Sequence, residues 1–532
     1  MVPVALRTAD TGMRHPGEDT RLASARAMLT AGKPDKAESL VKRMLHYQPD
    51  HAGALHLAGQ IARARGRLVR AVQLLEKAAA ARPDAADIWC DYGLALKAAG
   101  RHDEAVAAQR CVAGMLPASP LALANLGAAC IAAGLTAEAL SHLARADALA
   151  PGNAEILYNL GNAQLRAGDW PAAEAAFSRA LDVEPLHAGA KTNLASVYKE
   201  QGRLEDALAL LRVARAMHPD NADAEWNLAL SLLTAGAWKE GWAHYEARRR
   251  IPGFALRHLR PAPWDGSPLD GRRLLVHAEQ GMGDAIQFCR YLKHAAACGG
   301  EVAFLVHDRL APLLSTLDVD IRVLEAGGKT PRYDVEAPLM SLPHLLRRPD
   351  AGADRSPYLK ADPARVGRWR QVLPADGRIT VAIAWQGCPD YAADTRRSIP
   401  LARFGPLAAL DGVRLVSLQK GGGAEQLGLQ GWAGRVAAPD ETLDADGAFL
   451  DSAAILRNAD LLVTSDTAMA HLGGALGVET WLALAHVPDW RWGRDGETTP
   501  WYSGMRLFRQ RSPGDWDGVF AAIAAELRKR LP

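Results

Sequence analysis

The stretch WCDYGLALKAAGRHDEAVAAQRCVAGMLP, Trp89–Pro117, carries the pattern that decides the first half of the chain. Its glycine, alanine and proline recur at one interval. Glycines stand at Gly32, Gly66, Gly100, Gly134, Gly168, Gly202 and Gly236, each 34 residues after the last. Small residues follow in phase at Ala37, Ala71, Ala105, Ala139, Ala173, Ala207 and Gly241, and prolines at Pro49, Pro83, Pro117, Pro151, Pro185 and Pro219. Each position has a physical reading. The glycine ends a first helix in the left-handed conformation that it adopts cheaply. The alanine lets two helices approach, and the proline separates one repeat from the next, where its missing N–H does no harm.

This period, with Trp89, Tyr92, Gly93, Leu96, Gly100, Ala105 and Pro117 in one repeat, resembles the tetratricopeptide repeat. It predicts an α-solenoid of about seven helix pairs over residues 18–251, after a disordered N-terminus at 1–17. The degraded first repeat (Arg21, Ser24, Ala25) and the basic run Arg248–Arg250 closing the seventh read as terminal caps. A fourth series, Asn125, Asn159, Asn193 and Asn227, places amides where they could grip a peptide backbone on the concave surface. The same amides could instead bridge neighbouring repeats.

At 532 residues the chain has room for three ordinary domains, and its charge of +2 argues against a nucleic-acid binder, which needs a clustered basic surface. The opening residues hold no apolar run of a secretory signal, and no stretch is long enough to span a bilayer, which predicts a cytoplasmic protein. Six cysteines without a CxxC pair or a histidine cluster predict reduced thiols and no metal site.

Beyond a Pro- and Gly-rich linker at 252–271, the period changes. RRLLVHAE, EVAFLVH and IRVLEA read as buried strands, and ITVAIAW, VRLVSLQ, ADLLVTS and ETWLALA as a second set, with helices between. Two α/β sheets follow, at 272–361 and 376–532, with a break near DPARVGRWRQVLPADG, Asp362–Gly377. The change of period predicts that the second half folds without the repeats.

The motifs GDAIQFCRYL, WQGCPDYAADTRRSIPL, SLQKG and above all SDTAMAHLGGALG, Ser465–Gly477, resemble the ADP-heptose heptosyltransferase family from roughly Leu274 to the C-terminus. The resemblance implies the GT-B fold of two Rossmann-like domains behind the repeats. It implies an inverting, metal-independent glycosyltransferase that needs no cofactor beyond a nucleotide-diphosphate sugar as donor. The whole chain looks like bacterial proteins that join such repeats to such a transferase, some of which modify proteins such as flagellin. A protein or peptide acceptor recruited by the repeats is the implied partner.

Glycosyl transfer needs a base for the acceptor hydroxyl and positive dipoles for the departing diphosphate. Asp284, at the strand-to-helix turn GMGDA, is the candidate base, where the family places its catalytic Asp; it could also cap the helix, and the two roles are compatible. Gly283 beside it would let donor and acceptor come close. Asp466 and Thr467 open a helix after a buried strand and would present N–H groups to a phosphate, and His471 lies one turn on. Ala468 stands where the family has glycine, a departure that bears on activity. Arg397 matches the family's phosphate-binding Lys, with Lys420 as a second cation and Glu425 as an acceptor for a ribose hydroxyl. The DxD of Asp444 and Asp446 lies in a polar loop rather than at a strand end and is set aside. The aromatic run with Trp490, Trp492, Trp501 and Tyr502 could stack on a sugar or base, or pack a domain junction. Two rivals remain: an O-GlcNAc transferase-like enzyme, and a scaffold whose transferase half is inactive.

Overall fold

The computed structural model describes residues 20–251, 261–328, 331–350, 355–373, 376–389, 394–429, 431–432, 434–440 and 442–531. The expected N-terminal tail 1–17, the linker residues 252–260 and part of the Arg397 segment, 390–393, lie outside them. The chain forms two compact units, one up to His218 and one from Pro219 onward.

The first unit is an α-solenoid of tetratricopeptide helices running pairwise from Thr20–Thr30 to Leu204–Met217. The glycine that ends each first helix has φ between +70° and +77° in this unit, and a Cβ there would meet nothing within 4 Å. Conformation, not space, selects glycine at these turns. A second glycine series has the opposite cause. A Cβ on Gly59, Gly93, Gly127 or Gly161 would lie 2.5–2.6 Å from Leu75, Gln109, Leu143 or Phe177. Each of those side chains lies over bare backbone on the paired helix. The alanines of the phased small-residue series, from Ala37 to Ala207, are fully buried.

The second unit begins with the seventh repeat, helices Ala222–Thr234 and Trp238–Tyr245. Trp242 and Tyr245 are buried in one core with Phe288 and Trp490, and the Trp242 indole donates to Pro349 O at 2.7 Å. Arg248, the first of the basic run, is wholly buried. It donates to Glu279 through Nε (2.9 Å) and Nη2 (2.6 Å) and to Ser341 Oγ (2.8 Å). The boundary therefore falls before the seventh repeat, which corrects the expected one at 252–271. The described part of that linker is itself built in: strand β1, Ala262–Pro263, joins a sheet, and Trp264 and Leu269 are buried.

Two parallel sheets follow. The first orders β1, β5 (Val335–Pro338), β2 (Arg273–His277), β3 (Glu301–Val306) and β4 (Arg322–Glu325). The second orders β11 (Met505–Arg509), β10 (Thr480–Leu484), β9 (Leu461–Ser465), β6 (Ile379–Ala384), β7 (Val413–Ser417) and β8 (Val436–Ala437). All pairings are parallel, so helices cover the faces and the central strands are apolar throughout, giving the α/β class. In each sheet the chain reverses its direction of growth beside the first central strand, between β2 and β5 and between β6 and β9. Such a switch point opens a crevice at the strands' carboxyl ends.

A chain cut at residue 252 would lose Trp242 and Tyr245 and leave Glu279 buried without its cation, at roughly 3–5 kcal/mol for the last alone. Residues 219–532 are expected to be soluble and to unfold cooperatively, whereas 252–532 aggregate. Size-exclusion and thermal unfolding of the two fragments check this.

Candidate functional site

At the first switch point, β2 ends in His277 and turns through Gly281 into the helix Met282–Phe288. Asp284, its third residue, reaches back to accept from the Gly281 N–H at 2.9 Å, so the capping role is realised. Its other oxygen accepts from Arg491 Nη2. The Asp284 side chain remains 21% exposed. Burial, helped by the Asp489 and Glu279 carboxylates, raises its pKa, against Arg491 and the Gly281 N–H.

At the second switch point, β9 ends in Ser465, Asp466 follows, and the helix Ala468–Leu476 begins with Thr467 as extended N-cap. The two helices pack directly on one another. A Cβ on Gly283 would lie 3.2 Å from His471 and 3.3 Å from Ala468, so this glycine's place is taken by the opposing helix. Gly283 thus permits the crossing that brings Asp284 beside the N-terminus of the second helix.

His471 is buried, 5.4 Å from the Trp492 ring and nearly parallel to it, and its Nδ1 hydrogen-bonds the Tyr502 hydroxyl at 3.0 Å. Burial, with Arg491, Arg290 and Arg397 nearby, holds its pKa well below the ordinary imidazole value. Asp466 shows the reverse. Burial and the neighbouring Asp489 carboxylate push it up to about 6, while the Trp492 indole, Arg397 and Arg491 oppose. The indole N–H faces this carboxylate but closes no hydrogen bond. Arg397 ends a helical turn after β6, donates to Asp394 at 3.1 Å and covers Gly387.

The structure thus brings together Asp284, Gly283, Asp466, Thr467 and His471, with Arg397 within electrostatic reach. Lys420 and Glu425 stand apart beyond β7, both exposed. Lys420 Nζ donates to Leu443 O, and no hydrogen bond or ion pair joins either to the crossing among the described residues. Asp444 accepts from Asp451 N, Ser452 N and Ser452 Oγ at 2.6–3.1 Å, and Asp446 pairs with Arg365. The first acid of the DxD serves a helix start. Trp490 and Trp501 are buried against Trp242 and Phe288, and Trp492 and Tyr502 against His471, so the aromatic run packs a junction rather than offering a stacking face.

Arg491 was not apparent from the sequence. It donates to Gln287 Oε1 (2.7 Å), Asp489 Oδ1 (2.8 Å) and Asp284, and stacks 4.2 Å from the Trp490 centroid. Its only local signal is DWRW, an arginine flanked by two tryptophans. In the repeats, Asn125 and Asn159 are buried, which corrects their placement on a peptide-lining surface. Asn125 Nδ2 donates to Cys90 Sγ at 3.4 Å in the preceding repeat. Asn193 donates to Asn162 Oδ1 at 2.5 Å, again across repeats, and Asn227 to Asp223 O of its own helix at 2.9 Å. Bridging accounts for Asn125 and Asn193.

A tetratricopeptide-repeat family model matches residues 22–86, 70–120, 158–216 and 192–253, and a second one 120–145. The first 250 or so residues are tetratricopeptide repeats. The chain is 30% identical over 330 residues to Protein FlbA of Caulobacter vibrioides, a match covering 56% of this chain and 53% of that protein. The chain thus spans about half the length of this curated relative. Similar solved structures include a tetratricopeptide repeat protein from Parabacteroides merdae, 14% identical over 44% of this chain and 92% of that one, with TM-score 0.40. Another is YrrB, described as a TPR protein with an unusual peptide-binding site, 21% identical over 35% of this chain and 95% of that one, with TM-score 0.28.

Asp466 and His471 have opposite linkage. Asp466 holds its proton more tightly when folded, so it adds stability as pH falls through about 6 towards 4. His471 holds its proton less tightly when folded, so the fold loses stability as pH falls through 6.5. Relative to wild type, Asp466→Asn is expected to lose melting temperature between pH 7 and 5, and His471→Gln to gain it, each by about 1–4 °C. Thermal unfolding of the second unit at the two pH values checks both signs.

Proposed function

We propose that the chain is an inverting, metal-independent glycosyltransferase of the GT-B plan, whose repeats recruit a protein or peptide acceptor. The observation that supports this best is the crossing at the two switch points, where a carboxylate and a helix N-terminus stand side by side on two parallel sheets. The acceptor hydroxyl gives its proton to Asp284 as its oxygen bonds to the anomeric carbon. The bond from that carbon to the diphosphate oxygen breaks, and the electron pair leaves with the nucleoside diphosphate. Its charge would be met by the first-turn N–H groups after Asp466, the Thr467 hydroxyl and Arg397. His471, kept neutral, would serve as a hydrogen-bonding rather than a charged partner. Lys420 would have to leave Leu443 O to reach a phosphate, and Glu425 would meet the ribose.

A binding scaffold is the second reading. It draws on Ala468, whose methyl lies at the helix crossing, and on the ion pair that engages Asp284.

The first reading predicts that a nucleoside diphosphate raises the melting temperature of the protein, in EDTA as without it. Thr467→Ala and Arg397→Ala should each weaken calorimetric binding by about ten- to a hundredfold. Asp284→Asn should bind no more weakly than wild type and lose transfer by a hundredfold or more. If no member of a panel of nucleoside diphosphates binds, the scaffold reading replaces it. Loss of binding in EDTA removes metal independence.

A further inference from the structure

Arg491 holds more donors than its partners consume. Nε, Nη1 and Nη2 each give one hydrogen bond, to Gln287, Asp489 and Asp284, which leaves two guanidinium N–H groups without a partner among the described residues. Around it, other buried donors are also unmade. Gln287 Nε2, on the carboxamide that accepts from Arg491, has no partner, and neither has the Trp492 indole N–H. Both side chains are at least nine-tenths buried. Ser465 Oγ, fully buried at the end of β9, is likewise unpartnered. Buried donors without acceptors are rare in folded proteins; here one lies on the carboxamide that holds Arg491, one beside Asp466, and one on the residue that ends β9, just before the Ala468–Leu476 helix. That pattern suits an anion with several acceptor oxygens.

Asp284 has the complementary problem. Both its oxygens are engaged, one by the Gly281 N–H and one by Arg491. The paired guanidinium works against the burial that raises the proton affinity of this carboxylate.

We propose that Arg491 is shared between the donor's diphosphate and Asp284. A diphosphate bound at the start of the Ala468–Leu476 helix draws the guanidinium towards itself and frees the carboxylate oxygen that takes the acceptor's proton. Asp489 and Gln287 keep the other edges of the fork in place, so the exchange costs one ion pair and no large movement. The donor is then bound before the base is released, which orders the two substrates. The inference rests on the glycosyltransferase reading and adds to it a diphosphate-binding residue that also governs the base.

The test is a double-mutant cycle on inorganic pyrophosphate binding to the full chain by calorimetry, with Asp284→Asn and Arg491→Lys. Asparagine can still accept from the Gly281 N–H, and lysine keeps the charge without the fork. Arg491→Lys should weaken binding about ten- to a hundredfold. Asp284→Asn should tighten it several-fold, because the competitor for the guanidinium is gone. In the Arg491→Lys background the same asparagine should change binding less than twofold. An equal gain in both backgrounds means that Asp284 acts only through its field, and the sharing is wrong. Failure of the wild-type protein to bind pyrophosphate removes the diphosphate site itself and the reading beneath it. If the lysine variant does not fold, Arg491→Gln takes its place in the cycle. Trp492→Phe should weaken binding additively with Asp284→Asn; unchanged binding would remove the indole from the site.

Discussion

The guanidinium of Arg491 meets Asp284 and Gln287 from the first sheet's leading helix and Asp489 from the loop after β10. Asp466 lies close enough to feel the same charge. Several carboxylates share a largely buried space, which a single planar cation with directional donors can organise and a point charge cannot. A buried ionic cluster of this kind is weak evidence of stability, since its desolvation offsets much of the attraction. Its effect is geometric. Arg290, just beyond the Asp284 helix, adds a second set of such contacts, donating to Trp501 O at 2.8 Å and to the Tyr358 hydroxyl at 3.0 Å.

The repeats were legible because three phased series report three different physical demands: a left-handed turn, a close helix approach and a break between pairs. The seven strands that showed as apolar runs are all present. The four that did not are short or mixed. β5 contains Glu336 and ends in Pro338, β11 alternates Arg506 and Arg509 with apolar residues at a sheet edge, and β1 and β8 are two residues each. Asp284, Thr467 and His471 could be picked out because strand-to-helix turns mark themselves with glycine and capping residues. Arg491 could not, because its ion-pair partner Asp284 lies 207 residues away.

The domain boundary was misplaced for a related reason. Sequence period reports where the chain repeats its local geometry, and the seventh repeat keeps that geometry in full, with Gly236 at φ +75°. What differs is which core covers its inner face, and that depends on Phe288 and Trp490, far along the chain. The asparagine series teaches the same lesson on a smaller scale. Four amides at equivalent positions end on a thiol, in a buried site, on another amide and on a backbone carbonyl, because neighbours within each repeat are free to vary.

Because Tyr245, Trp242 and Arg248 are committed to the core of the second unit, the array is modular on one side only. Repeats upstream of Pro219 belong to the other unit and could be duplicated or lost in steps of 34 residues. The length of the array can then drift in evolution while the second unit stays unchanged. The seventh pair is excluded from that traffic. Among relatives, repeat number should vary before it and never through it.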